Sequence, residues 1–275
     1  MALNSSPAKL YSSAGIPQNV VVQIRQGEHG DLRLKKKLTT SIALVAEATN
    51  EVVRKRSTLA GAAFLPIAGI FLINALLVDL SPSGLHRFAL LLVALPLYAL
   101  FATVVHRVVL LGEQSLPNRW GIFWTERETR FLGWLIGIWF LHVALSFPTG
   151  IIAVAFSMAF TGWDGAWVAT ILGYLVAAYF DGRFGLVLPA TAIDRRSSFR
   201  ESWAMSRGKG MMIAMALVVP AIISMPVEWA LYGAVDETFR PMIDLVWMFF
   251  VLAIFAVEVA IISLAFSKLS FQDRR

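Results

Sequence analysis

Hydrophobic and polar residues are separated along this chain into long blocks instead of short periodic patterns. Apolar runs almost free of charge recur from residue 57 to residue 267. Each approaches or exceeds the roughly 20 residues that a helix needs to cross the hydrocarbon core of a bilayer. They predict six membrane-spanning helices, at 58–79, 87–111, 131–158, 165–190, 209–233 and 241–267. The expected fold class is therefore an all-α membrane protein, a bundle of six transmembrane helices.

Polar segments flank this predicted domain, residues 1–56 before it and residues 268–275 after it. The pattern predicts a short hairpin over residues 19–34 and a helix over residues 39–56. No apolar stretch typical of a cleaved signal peptide precedes the first predicted span. Two interpretations of residues 1–56 stay open: a solvated arm that helps to fix topology, or an arm that docks on a partner subunit or on anionic headgroups.

Basic residues are distributed unevenly among the predicted loops. Of the 24 lysines and arginines, all but Arg87 and Arg240 fall in the two terminal segments or in the stretches 107–130 and 183–209, which cover the connections after the second and fourth spans and the adjoining span ends. Because cytoplasmic loops of membrane proteins carry the excess of basic residues, this alternation predicts that both termini are cytoplasmic. It also accounts for the net charge of +6 without a nucleic-acid partner.

The composition narrows the chemistry further. Hydrophobic residues make up 57% of the chain and charged residues 15%, whereas a soluble domain is nearer a quarter charged. The absence of cysteine excludes disulfides, thiolate metal sites and cysteine nucleophiles. The four histidines have no metal-ligand spacing, and the phosphate-binding and hydrolase motifs GxxxxGK[ST], HExxH and GxSxG do not occur. We expect no enzyme activity, no metal and no cofactor.

Two predicted cytoplasmic connections carry aromatic and arginine side chains at helical spacing. Such a pattern is typical of short amphipathic helices that lie in the membrane interface, with rings in the acyl boundary and guanidinium groups at phosphate level. The headgroup or interface residues predicted in this way are Trp120, Trp124, Arg127, Arg196, Arg200, Trp203 and Arg207. They either anchor a helix hairpin or recognise a phospholipid headgroup.

The segment 185–208, GLVLPATAIDRRSSFRESWAMSRG, resembles a segment of bacterial six-helix inner-membrane proteins. These are the YciC-like proteins and the membrane domain associated with glycerophosphodiester phosphodiesterases, in which an LVLP pattern leads to a W-x-L-[ST]-[KR]-G helix. Here Trp203, Ser206, Arg207 and Gly208 match, and Met205 replaces the usual leucine. The resemblance implies a multi-pass protein of the bacterial cytoplasmic membrane, and it transfers no catalytic residue.

Ionisable residues inside predicted spans are costly to bury and indicate functional positions. The residues that form this predicted buried polar network are His106, Arg107, His142, Asp181, Arg183 and Glu258. They are interpreted in three ways: as ion pairs that fix helix packing, as a proton or solute pathway in which Glu258 and His142 titrate, or as arginines that reach out to headgroups.

Small residues and prolines predict where helices lie in close contact and where a span is broken. Ala178 with Gly182, and Gly133 with Gly137, have the four-residue spacing typical of close helix contacts. Pro220 and Pro226 make the fifth predicted span the best place for a local break.

The preferred function is a non-enzymatic polytopic membrane protein, an accessory or structural subunit or a lipid-interacting assembly factor in a membrane complex. The alternative is a small permease or proton-coupled transporter that uses buried charges in the cytoplasmic half of the bundle. The partners expected are membrane lipids, with either another membrane protein or a second copy of this chain.

Overall fold

In the computed structural model the described residues are 37–77, 84–116, 124–159, 165–233 and 239–272. Within these ranges the chain is almost entirely helical and contains no strand. The hairpin predicted at 19–34 lies outside them. The chain divides into two compact units after Thr40, and the larger unit spans Ser41–Arg275.

Nine α-helices and one short 3₁₀ helix, Glu113–Ser115, occur in the described ranges. In chain order the α-helices are α1 (37–54), α2 (Arg56–Leu77), α3 (Gly84–Leu111), α4 (Glu126–Ala159), α5 (Gly165–Phe184), α6 (Val187–Ala192), α7 (Phe199–Met205), α8 (Gly210–Gly233) and α9 (Arg240–Gln272). The helix predicted at 39–56 is thus confirmed as α1.

Five of the helices close into a ring. Helix α3 packs on α4, α4 on α5, α5 on α8, α8 on α9, and α9 returns to α3. Helix α2 lies outside the ring and packs mainly on α3. Ring closure brings the start of α4 and α8 and the end of α3, α5 and α9 to one end of the bundle, which we call the basic end because Arg107, Arg127, Arg183 and Lys268 lie there.

Five helices, α2, α3, α4, α8 and α9, are long and apolar enough to cross a membrane. Helix α5 is not among them, so the sixth span stays a prediction. Large apolar side chains of these helices are exposed on the outside of the bundle; examples are Phe147 at 71%, Met158 at 79% and Trp229 at 78% exposure. Since water disfavours such surfaces on a folded protein, this exterior is compatible with a lipid environment.

The predicted span 165–190 is not one helix. Helix α5 ends at Phe184, and α6 begins at Val187 after a two-residue break. Pro189 explains the break, because a proline ring in a continuous helix clashes with the carbonyl four residues earlier, here that of Gly185. In the first turn of α6 the missing N–H of Pro189 costs nothing.

The break predicted in the fifth span is wrong. Helix α8 runs from Gly210 to Gly233 without interruption, although it contains Pro220 and Pro226. Both prolines are accommodated within the helix, as is common where neighbouring helices support the backbone.

The two connections predicted to form interfacial helices differ from each other. Helix α7 is a separate short helix, begun by a capping box in which Ser198 and Glu201 bond each other's backbone N–H groups. In the other connection, residues 117–123 lie outside the described ranges, and Arg127 belongs to the first turn of the long helix α4. The aromatic and basic residues from 126 onward therefore extend a long helix instead of forming an independent one.

Helix α1 packs across the basic end through its residues from Ser41 onward. Leu44 and Ala48 are buried in a core cluster with residues of α8 and α9. The Ser41 hydroxyl donates to the Met212 carbonyl at 2.8 Å, and Lys55, just after α1, donates to the Val108 carbonyl at 2.7 Å. This polar cover ties the helix ends of α3 and α8 together.

Candidate functional site

A cavity of about 340 Å³ lies inside the ring. All five ring helices contribute to its wall, and most of the lining is apolar. Aromatic side chains line it from three helices: Trp139 from α4, Tyr174 from α5 and Phe255 from α9. The volume is within the range typical of small-molecule sites, which are mostly apolar with a few polar groups.

Four ionisable side chains line this cavity, each from a different helix. His106 comes from α3, His142 from α4, Asp181 from α5 and Glu258 from α9. All four belong to the polar network predicted from the sequence, so the structure brings them together as expected. Two carboxylates and two histidines in an apolar enclosure form the candidate functional site.

One pair within the site is bonded directly. His142 Nε2 lies 3.0 Å from Asp181 Oδ1, and both side chains are about one-third exposed. The contact joins α4 to α5 at the level of the cavity. Asp181 is thus held by a group that is able to neutralise its charge when the imidazole is protonated.

Glu258 is in a different situation. It lines the cavity, and within the described part of the chain its carboxylate has neither a hydrogen bond nor an ion pair. Asp181 is close enough for the two carboxylates to interact electrostatically. A half-buried carboxylate without a partner is costly in an apolar cavity, so Glu258 is suited to bind either a proton or a cationic group.

His106 is fully buried at the wall, and its hydrogen bonds fix its tautomer. Nδ1 lies 2.6 Å from the Ser263 hydroxyl, which itself donates to the Val259 carbonyl at 2.9 Å. Because that hydroxyl has a single proton, His106 Nδ1 must be the donor. Nε2 then carries the lone pair, and it has no partner among the described residues.

A second cavity of about 200 Å³ adjoins the first on the side away from the basic end. The two share Tyr174, Phe255 and Glu258, and the second extends to Glu228 and Trp247. Glu258 therefore lies where two enclosed volumes meet.

The two arginines of the predicted network lie apart from this cavity. Arg107 donates to the carbonyls of Ala192 and Ser115 at 3.1 and 2.9 Å, and its guanidinium lies 3.5 Å from the Asp194 carboxylate. At the same place Arg127 lies 3.2 Å and Arg130 3.7 Å from Asp194. These residues form the polar cluster of the basic end.

Arg183 forms a separate buried latch between α5 and α7. Its guanidinium carbon lies 3.8 Å from the centroid of the Trp203 ring, and Nη1 donates to the Ser206 carbonyl at 2.8 Å. The hydroxyl of Ser202 donates back to the Arg183 carbonyl at 2.8 Å. Arg183 was expected to form an ion pair with the cavity carboxylates. It makes a cation–π contact and hydrogen bonds to the backbone instead.

The same latch gives structural roles to the motif around Trp203. Gly208 has a φ of +74°, a conformation that favours glycine, and it reverses the chain between α7 and α8. Gly182 on α5 lies against α8 so closely that a Cβ would be 2.9 Å from the Gly210 carbonyl oxygen. The close contact predicted for Ala178 and Gly182 is confirmed.

The predicted interface residues are placed as follows. Trp120 lies outside the described residues; Trp124 is exposed and donates from Nε1 to the Thr129 hydroxyl at 3.0 Å. Arg127 is paired with Glu128 at 2.7 Å. Arg196, Arg200 and Arg207 are exposed and have no partner among the described residues.

Sequence reasoning missed several polar residues. Asp194, which gathers three arginines, and Glu128, which is 2% exposed, were not singled out. The spacing Thr125-x-x-Glu128 is that of a capping box and would have identified Glu128. No local sequence pattern identifies Asp194. In the structure it has a φ of +60°, a conformation that Asn and Asp tolerate better than most residues.

Across the described ranges, no three histidine or acidic side chains are arranged to hold a metal ion. Comparisons with protein-family profiles, with curated proteins and with solved structures found no match for this chain. The resemblance of residues 185–208 to the YciC-like proteins therefore stays a prediction, and the function has to be argued from the cavity.

Proposed function

We propose that this protein is a small membrane carrier that binds an amphipathic organic cation in its central cavity and exchanges it for protons. The observation that carries the proposal is Glu258, an unpaired carboxylate at the junction of two cavities in an apolar ring of helices. A protein with a purely architectural role has no need of a cavity lined by ionisable groups. The cavity therefore favours the permease alternative over the accessory subunit.

The proposed membrane placement follows from the same ring. Helix α5 packs between α4 and α8, both of which are long and apolar enough to cross a bilayer. We therefore place α5 in the membrane as the sixth span, with the basic end and both termini on the cytoplasmic side of a bacterial inner membrane. The exposed apolar exterior then faces lipid.

The chemistry of the lining favours the substrate class. Trp139, Tyr174 and Phe255 offer aromatic surfaces, which attract organic cations as well as apolar groups. Asp181 is bonded to His142, which leaves Glu258 to balance the charge of the ligand. A proton on Glu258 removes that charge, so proton and cation compete for one site.

Uptake of tetraphenylphosphonium into proteoliposomes under an imposed pH gradient tests this proposal. We expect gradient-dependent uptake by the wild-type chain, and a loss of about tenfold or more in Glu258→Gln, since removing a charged partner costs 1.5–3 kcal/mol or more. Glu113→Gln is the matched control, because Glu113 is exposed in a 3₁₀ turn and does not line the cavity.

Binding in detergent separates a transport defect from a binding defect. Equilibrium dialysis of the same probe should show weaker binding in Glu258→Gln and competition by acid in the wild type. Equal binding and equal uptake by wild type, Glu258→Gln and Glu113→Gln would contradict the proposal and restore the subunit hypothesis.

A further inference from the structure

At the basic end, away from the central cavity, a further pocket opens between the start of α4 and the connection from α6 to α7. Its volume is about 590 Å³, and polar atoms make up a larger share of its wall than in the central cavity. The polar groups come from Glu126, Arg130, Thr191, Arg195, Arg196 and Ser197, and Trp134 and Gly133 lie on the α4 side. We infer that this pocket binds the phosphate group of an anionic phospholipid.

The charge balance around the pocket is positive. Arg130 is shared with Asp194 at 3.7 Å and Glu126 at 3.9 Å. Arg195 and Arg196 have no ion pair with any residue in the part of the chain that the structure describes. Two unpaired guanidinium groups beside a hydroxyl are the donors that a phosphate oxygen requires.

The position of the aromatic groups distinguishes a lipid from a soluble phosphate. The guanidinium of Arg195 lies 5.8 Å from the Phe266 ring, and Trp134 stands edge-on to Phe199 at 4.7 Å. Trp134 lines the pocket, so one aromatic ring lies beside its guanidinium groups. This juxtaposition suits the boundary between a headgroup and its acyl chains.

The pocket revises the group of interface residues predicted from sequence. Among the described members of that group Arg196 alone lines it, whereas Arg200 and Arg207 do not, and Trp203 contacts Arg183. The lipid site thus involves Arg130 and Arg195, which the periodicity of the connections did not select. It is independent of the proposed carrier function, since it shares no lining residue with the central cavity.

Binding of short-chain phosphatidylglycerol to the purified full-length protein in neutral detergent tests the inference. We expect Arg195→Gln/Arg196→Gln to weaken binding by about tenfold or more, because charge-assisted hydrogen bonds to a phosphate are stronger than neutral ones. The matched control is Arg200→Gln/Arg207→Gln, which removes the same charge from exposed arginines outside the pocket. Equal losses in both double variants would overturn the site and indicate general attraction to charge.

A second variant tests the pocket without changing its charge. A Cβ at Gly133 would meet no atom within 4 Å, so Gly133→Leu should fill the pocket from a helical position and leave the fold intact. It should weaken lipid binding while the thermal unfolding temperature stays at or above that of wild type. Unchanged lipid binding in Gly133→Leu would contradict the assignment.

Inorganic phosphate and short-chain phosphatidylcholine identify the source of the ligand. Preference for phosphatidylglycerol over phosphatidylcholine, with no displacement by inorganic phosphate, supports an anionic lipid. If inorganic phosphate displaces the lipid at a concentration at which phosphate itself binds the pocket, the ligand is a soluble phosphate and the lipid assignment is overturned.

Discussion

The centre of the ring and its basic end differ in whether their charged side chains have partners. At the basic end each of the innermost charges has a partner: Arg107 and Arg127 share Asp194, and Arg183 holds a carbonyl and an aromatic ring. In the centre His142 and Asp181 form a pair, while the Glu258 carboxylate has no hydrogen bond or ion pair among the described residues. Paired charges fix structure, whereas unpaired groups around a cavity remain available to bind something.

Removing the latch at the basic end should have the largest effect on stability. We expect Arg183→Ala to destabilise the protein by about 3 kcal/mol, because it removes a buried cation–π contact and a charged hydrogen bond. Thermal unfolding in detergent measures the loss. Arg207→Ala, at an exposed position four residues after Trp203, is the control and should stay within about 0.5 kcal/mol of wild type. Equal effects of the two would mean that the latch contributes nothing beyond charge.

Breaking the pair in the centre should have a smaller effect. For His142 and Asp181 we expect a coupling free energy of about 1 kcal/mol, since both side chains are partly exposed to the cavity and the bond is partly screened. A double-mutant cycle with His142→Gln and Asp181→Asn measures it. A coupling free energy as large as the effect of Arg183→Ala would mean that this pair stabilises the fold as the charges of the basic end do. The difference between the centre and the basic end would then be weakened.

The smallest expected effect concerns the two glycines at the start of α4. Gly133→Ala should stabilise the protein by about 0.5–1 kcal/mol, because the position is helical and open. At Gly137 a Cβ would lie 3.3 Å from the Phe199 ring, so Gly137→Ala should gain less or lose stability. Chemical or thermal unfolding of both variants tests the difference. A loss of stability in Gly133→Ala would point to a contact between copies through the GxxxG face.

Several features were accessible from the pattern of residues because they depend on local or one-dimensional properties. The positions of the helices follow from the lengths of the apolar runs, and the start of α7 follows from Ser198 and Glu201 as a capping box. The pattern places His106, Asp181 and Glu258 at a similar depth on separate helices and His142 nearer the middle of its span, and all four line the cavity.

Other features were not accessible from the pattern. The depth of a residue in the membrane does not show in which direction around its helix the side chain points. Arg183 and Asp181, two residues apart, were therefore grouped together, although Arg183 contacts the Trp203 ring and Asp181 lines the cavity. The break before Val187 depends on a proline ring and a carbonyl in a specific turn, whereas Pro220 and Pro226, which looked equally disruptive, are absorbed within α8.

The long apolar helices and the grouping of basic residues in alternate connections follow from the residues alone, because hydrophobicity and charge act residue by residue along the chain. The ring of five helices, the cavity inside it and the pairing of the charges follow only from how the helices pack. Those outcomes depend on helix rotation and on contacts between residues far apart in the chain, for example Asp194 with Arg107 and Ser263 with His106. How the helices pack sets these outcomes, and a linear pattern of residues does not show it.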